Sequence, residues 1–449
     1  MKHIIHLLIL LFFNQAQAQR KAAFVKFFDQ RLWYVIDEKG QLLYDKGFDF
    51  IDVSDNEELN IDNAKKVVIA YPSEGIFRFK KFNTYGYYNN QFSEIIEPQF
   101  EVAFDFSDSI AVVGIENERR YIDHKGKYIS DKTFSVAEQF SNGYGLVNYK
   151  GRWHFINKKG IFLNENGFDD AYAFKNGYAV IKKDRKWGII NLKGEMVIPA
   201  MYDELKKQGD GFIAFKQNGK WGIINLKGEL VIPAIYDELK KQGGGFIAFK
   251  QNGKWGFINW SNKIIIEAKY KNVGTFNDGI AAVQPDKWGY IDSTGKAVSE
   301  FIYSEAEDCN EGVAVALKYG LWGALDKTGK KILGFNYNKI IKSENGIIRY
   351  KTGKGWGLAD NNGKIIKEPQ FARIGDFEYD LALVEMDGRI GFIDKAGELK
   401  VPAIFVNAFE FENGYGRVRT DTDWHYIDRS GNYLFKTNLR MATRYFSIE

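Results

Sequence analysis

One cysteine, Cys309, stands in 449 residues, so no intrachain disulfide can brace this chain. Prolines number only 7, a composition that fits many short strands joined by tight turns. Of 5 histidines, His3 and His6 lie at the extreme N-terminus, and His124, His154 and His425 make no H-x-x-x-H or E-x-x-H spacing. Metal-assisted hydrolysis therefore lacks its usual ligand set, and no metal or cofactor is expected. Glycines recur at turn positions once per unit rather than as a cluster opening a helix, which leaves no phosphate loop. The charge of +4, or +3 without Lys2, is spread among 62 basic and 58 acidic residues. A clustered basic face is missing, and with it the electrostatic footprint of a nucleic-acid binder.

Long apolar runs are also scarce. The run Ile4 to Phe13 is short of the roughly 20 residues that span a bilayer. With Lys2 before it and Ala16-Gln17-Ala18 after it, residues 1–18 read as a signal peptide. The mature chain is expected to begin near Gln19 and to work in the periplasm or outside the cell, with no transmembrane segment. Against these shortages stand 36 Phe, 25 Tyr, 10 Trp and 45 Gly. Aromatic residues punctuated by glycine predict many short strands joined by tight turns.

Those residues are periodic. Trp33, Trp153, Trp187, Trp221, Trp255, Trp288, Trp322, Trp356 and Trp424 fall on one ladder with a step of 34 residues, once 33, when Tyr85, Arg119 and Ile390 fill its vacant rungs. Between Trp33 and Tyr85 the step is longer by 18 residues, an insertion placed around Ser54 to Lys66. Three further columns keep the same register. Four residues past each rung stands Asp or Asn: Asp37, Asn89, Asp123, Asn157, Asn191, Asn225, Asn259, Asp292, Asp326, Asp360, Asp394 and Asp428. Seven past it stands Gly in ten of twelve units. Fifteen past it stands an aromatic ring in the first eleven, Phe48, Phe100, Phe134, Phe168, Tyr202, Tyr236, Tyr270, Tyr303, Tyr337, Phe371 and Phe405, and Leu439 in the twelfth. Residues 187–220 and 221–254 differ at three places only. A unit that can be copied whole makes the same contacts to both neighbours, as in a quasi-one-dimensional array.

Within the unit around Trp221, strands are predicted over 212–216 and 220–224, joined at Asn218-Gly219 by a hairpin turn. A third strand is expected over 229–232, closed by Pro233, with a short fourth over 236–239. The domain reading is a signal over 1–18, a divergent first repeat with insertion over 19–83, the array over 84–439 and a tail over 440–449. Propellers usually close at four to eight blades. Twelve units therefore favour an open superhelical solenoid of antiparallel β-hairpin units, with two six-bladed propellers as the alternative.

The triplets Lys186-Trp187-Gly188, Lys220-Trp221-Gly222, Lys254-Trp255-Gly256 and Lys287-Trp288-Gly289, with the Asp/Asn, Gly and aromatic positions that follow, resemble the bacterial WG-repeat family. The resemblance covers nearly the whole mature chain. It implies an exported β-repeat protein without catalytic residues. Trp33-Tyr34, Arg119-Arg120, Trp153-His154 and Trp424-His425 depart from the pattern by lacking the glycine, and the end units are expected to act as caps.

Functional expectations follow from the columns. Asp or Asn at the turn can cap it through the side chain, and a calcium ladder is poorly supplied because one carboxylate per unit is sparse for six to eight oxygens. The aromatic column is assigned to holding the fold. Trp187, Trp221, Trp255, Trp288, Trp322 and Trp356 form the candidate ligand-binding column, by stacking on sugar rings, against the plainer reading that each indole packs on a neighbour's glycine. No catalytic residue is expected; Cys309 reads as a free thiol, and the acids of the insertion (Asp52, Asp55, Glu57, Glu58, Asp62) are the one place where an active site could hide. The expected function is a binding or scaffold module for an envelope protein or glycan. The alternatives are a structural spacer and a polysaccharide binder working through the Trp column.

Overall fold

The computed structural model describes residues 21–447 apart from 28–32, 38, 49, 53–67, 71–72, 82, 117, 210, 242, 343–344, 413, 436–438 and 443–445. The expected signal at 1–18 and the insertion at 54–66 thus lie outside the described residues. Among the described residues every regular element is a β-strand, so the chain is an all-β tandem repeat.

The unit around Trp221 is typical. Four strands, Glu204–Gly209, Phe212–Gln217, Lys220–Asn225 and Leu230–Tyr236, pair in sequence order as an antiparallel meander. Asn218 and Gly219 both hold positive φ, 52° and 80°, as a tight turn between twisted strands requires. The expected third strand does not stop at Pro233: it continues to Tyr236, with a register shift opposite Gly222. Proline is tolerated because this is the last strand of its sheet and the ladder is already broken at the bulge. The expected fourth strand belongs to the next unit, as its first strand, Glu238–Lys241.

Each unit is a blade with two buried faces. Ile213, Phe215 and Ile224 of this sixth blade pack on Ile189, Ile198 and Tyr202 of the fifth. Ile223, Ile232 and Tyr236 pack on Ile247, Phe249 and Ile258 of the seventh. Alternation along each strand thus sends one set of side chains backwards and the other forwards. Mixed clusters of this kind run without a seam from the one around Ile76 to the one around Ile427.

The array is not open. The N-terminal strand Lys21–Phe27 pairs with the C-terminal strand Leu439–Ala442, through Val25↔Ala442 and Lys26↔Met441. Counted from the rungs at Trp424 and Trp187, Met441 and Ala442 match Glu204 and Leu205, which face Lys216 and Phe215 in blade six. The end of the chain therefore supplies the missing first strand of blade one, in the register that blade six uses internally. Leu439 meanwhile faces Trp424 and completes blade twelve. First and last blades share one eight-stranded sheet, and ten further sheets hold the other ten units. The expected open solenoid is thus corrected to a ring of twelve propeller-like blades, and the absence of a seam removes the two-propeller alternative. The reason is edge chemistry: an open array leaves unpaired N–H and C=O groups at both ends, and closure pairs them. The end units do not cap an open stack; they cap each other.

In blade two the strand Phe50–Asp52 pairs in parallel with Val68–Ala70. The insertion thus falls between two copies of a first strand, at the edge of one blade.

Candidate functional site

The ladder residue opens the third strand of each blade and faces the aromatic column on the fourth. Trp187 faces Tyr202, Trp221 Tyr236, Trp255 Tyr270, Trp322 Tyr337, Trp356 Phe371 and Ile390 Phe405. Isolated bridges repeat the pairing at Arg119–Phe134, Trp153–Phe168 and Trp288–Tyr303. Two columns fifteen residues apart in sequence are therefore one cross-strand pair. The column rings also reach forwards: Tyr202 lies 4.7 Å from Phe215 and Tyr236 lies 4.9 Å from Phe249, each in the next blade. Among the described rings from Phe100 to Phe405 all are buried except Tyr337, which is half-buried.

Five of the six candidate indoles are half-buried, and Trp255 is buried at 4% exposure. Four of the six, Trp187, Trp221, Trp255 and Trp356, have a lysine of their own blade over the ring. The Lys206 ammonium lies 4.5 Å, and that of Lys216 5.6 Å, from the Trp221 ring centre. Lys240 and Lys250 repeat this over Trp255 at 4.4 and 5.5 Å, Lys182 sits over Trp187 at 5.3 Å and Lys351 over Trp356 at 5.6 Å. A cation held over an indole is worth about 0.5–1 kcal/mol at a partly exposed site. Fifteen residues before the rung stands the other cover: Lys206 and Lys240 in blades six and seven, Tyr172 stacked on Trp187 at 5.6 Å and Phe409 stacked on Trp424 at 5.6 Å. The glycine after the rung is crowded by the fourth-strand backbone, as at Gly188 and Gly256, and in blades six, eight, nine and ten by a ring of its own unit. A Cβ at Gly222 would come within 2.7 Å of the Phe215 ring, at Gly323 of Phe335 and at Gly357 of Tyr350. The structure places the six indoles one per blade around the ring and does not gather them.

The turn column behaves identically in every blade. Oδ1 of Asn225 accepts the backbone N–H of Lys227 at 2.9 Å and of Glu229 at 3.0 Å. The same two bonds recur at Asp123, Asn157, Asn191, Asn259, Asp292, Asp326, Asp360, Asp394 and Asp428, as well as at Asp37 and Asn89. One carbonyl-type oxygen suffices, which is why Asp and Asn interchange. The Thr294 hydroxyl is the main reason the Asp292 carboxyl sits below its ordinary 3.8. Three residues on, φ is positive in all twelve units, including Phe92 and Asn262 where glycine is absent.

Two columns escaped the sequence reading. Tyr87, Tyr121 and Tyr290, two past the rung, donate their hydroxyls to the backbone oxygens of Phe104, Glu138 and Glu307, 17 residues on in the next blade, at 2.6–2.8 Å. Burial pushes all three phenols well above the ordinary value. The signal was a Tyr, Phe or Ile at a fixed offset, hidden because apolar residues serve there as well. An acid sixteen past the rung is the second: Asp203 and Asp237 bind Lys186 and Lys220 and accept the N–H of Asn218 and Asn252 in the hairpin turn.

No group of three or more His, Cys, Asp or Glu side chains converges among the described residues. Cys309 is fully buried, with its thiol pushed up to about 12 by burial and by Asp278. His154 is buried and stacked on Phe162 at 4.5 Å, and His425 lies edge-on to Tyr433 at 4.8 Å. Among the acids of the insertion, Asp52 ends a described strand, while Asp55, Glu57, Glu58 and Asp62 lie outside the described residues.

Comparison with known families gives a match to the one described as "WG containing repeat", over residues 85–118, 120–153, 155–187, 187–221, 221–255, 255–286, 288–322, 322–355, 356–389 and 390–422. No curated protein matches the chain. Among solved structures it is similar to the extracellular domain of a hybrid two-component system, BT3049 of B. thetaiotaomicron, at 10% identity and a TM-score of 0.22, over 93% of this chain and 70% of that one. A eukaryotic initiation factor gives 9% identity and a TM-score of 0.31, over 95% and 98%. PorZ, a surface component of the type-IX secretion system of Porphyromonas gingivalis, gives 11% and 0.22, over 80% and 63%.

Proposed function

Because this chain belongs to the WG-containing-repeat family, we propose that it is a non-catalytic binding or scaffold module that works outside the cytoplasm on an envelope protein or glycan. The observation that carries the reading is the indole–ammonium row: a lysine five residues before the rung lies over the Trp in blades five, six, seven and ten, and the indole is half-buried in all of these but blade seven. Repetition at fixed spacing suits a polymer or a large surface, where many weak contacts add to a strong one. Anionic groups on the partner would meet the ammonium groups, and the apolar ring edges would take sugar or aliphatic carbon. A bare stacking stripe for a neutral polysaccharide is the weaker version, because lysines already cover indole faces and Trp255 is buried. Export rests on residues 1–18, whose composition is that of a signal peptide. No described helix is long and apolar enough to cross a membrane.

The test immobilises the chain from Gln19 onwards and passes over it purified cell-wall glycan and, separately, a detergent-solubilised envelope protein fraction. The variant Lys182→Ala/Lys216→Ala/Lys250→Ala/Lys351→Ala runs alongside. Salt-sensitive retention of one material, at least tenfold weaker with the variant, is the expected outcome, and which material is retained distinguishes glycan from protein. Retention of neither, or equal retention by both proteins, overturns the reading.

A further inference from the structure

One interface of the ring lacks a side chain that its neighbours have. Twenty-one residues past the rung, Phe106, Phe140, Phe174, Phe276, Phe377 and Phe411 are buried rings. Each fills the gap towards the preceding blade: Phe140 meets Tyr121 at 4.9 Å, Phe174 meets Phe155 at 4.6 Å and Phe276 meets Phe257 at 4.8 Å. In the two nearly identical units the same column holds Gln208 and Gln242. The interface between blades six and seven has a substitute. Trp260, the one Trp off the ladder, packs on Phe212 at 4.3 Å and joins the cluster around Ile223 and Ile247. Its counterpart in blade six is Leu226. The interface between blades five and six therefore has neither the phenylalanine nor the tryptophan.

A cavity of about 610 Å³ lies at that interface, lined by Tyr178, Val180, Ile189, Leu205, Phe212 and Leu226. Lys175 and Asn176, both exposed, stand at its edge. Tyr172 forms part of the wall and stacks on the ladder residue Trp187. The volume is within the range of small-molecule sites, and an apolar cavity of this kind takes up aromatic molecules from water.

We infer that the cleft between blades five and six binds a small aromatic carboxylate, its ring seated where other interfaces hold a phenylalanine or tryptophan side chain and its carboxylate directed to Lys175. The ring is specified by the neighbours: six comparable gaps are filled by a phenylalanine and one by Trp260, while Cys309 and Ser343 stand in the column at the two others beyond blade seven. The anion is specified by Lys175, the one charged residue of a mostly apolar lining. The site adjoins the indole–ammonium row through Tyr172 and Trp187 but uses none of the row's lysines.

The probe is indole-3-propionate, measured by calorimetry and by its effect on the thermal midpoint of the full mature chain. Saturable binding with a raised midpoint is expected for the wild type. Gln208→Phe restores the column ring and Leu226→Trp copies the plug of the next interface. Each should weaken binding at least tenfold, and neither should lower the midpoint of the unliganded protein. Lys175→Gln should weaken indole-3-propionate several-fold and leave indole itself unchanged. No saturable binding by the wild type at millimolar probe overturns the proposal, as does binding that survives in a folded Leu226→Trp variant.

Discussion

Removing residues 438–449 should open the ring. That segment holds both strands that pair with the outer side of Lys21–Phe27, away from its hairpin partner Trp33–Asp37: three facing pairs with Leu439–Ala442 and two with Phe446–Ser447. At about 0.5–1 kcal/mol of net hydrogen bonding per pair, and about 2 kcal/mol for the fully buried Leu439 side chain, the deletion costs on the order of 5 kcal/mol. Because each blade touches only its neighbours, the loss should stay local to blades one and twelve. Amide hydrogen exchange of residues 21–27 and 424–427 should accelerate by several orders of magnitude, with residues 178–259 unaffected. Sedimentation should report a less compact or self-associating particle, since two strand edges become available for pairing. Unchanged protection of residues 21–27 together with an unchanged sedimentation coefficient would refute closure through this strand.

Three further outcomes test the packing. Tyr121→Phe leaves the Glu138 carbonyl without its inter-blade donor and should cost about 1–3 kcal/mol in urea denaturation, whereas Tyr128→Phe, outside the column, serves as the near-neutral control. Asn157→Ala removes two turn bonds and should cost about 1 kcal/mol by analogy with a lost helix cap, while Asn157→Asp keeps the acceptor and should stay within about 0.5 kcal/mol of the wild type; a larger loss with Asp than with Ala would show that the oxygen is not what matters. Burial holds the His154 and His425 imidazoles below 6.5, so the fold favours their neutral forms. Their contribution is fully present above pH 6.5 and is lost as pH falls towards the folded values. The thermal midpoint should therefore fall between pH 7 and 5, and less so in a His154→Phe/His425→Phe double variant; identical pH profiles would sink this account.

Much of this protein is legible along the chain. The period, the strand pair around Asn218-Gly219, the turn column and the aromatic column are local facts. A 34-residue unit must satisfy its own turns and offer the same two faces every time, so composition and spacing suffice to read them. The strand boundary at Pro233 was misread because proline's effect depends on whether a strand is an edge, which is settled by pairing and not by residue type. Neither reading of the indoles, a stacking stripe or packing on a neighbour's glycine, includes the cover that the fold supplies, because nothing local reveals that a lysine or tyrosine fifteen residues earlier arrives over the ring. Tyr121 and its equivalents were invisible for the same reason, their partners being carbonyls of the next blade.

Closure was the feature that only tertiary structure could decide. Identical units fix how each blade meets the next, but ring and solenoid differ by a small rotation per unit that no residue encodes alone. What distinguishes them is whether strand Lys21–Phe27 finds Leu439–Ala442 across the whole length of the array. By itself the sequence determined the unit, its turns and its two apolar faces. The accumulated rotation of twelve blades, and the chemistry of two unpaired edges, decided that the chain closes on itself.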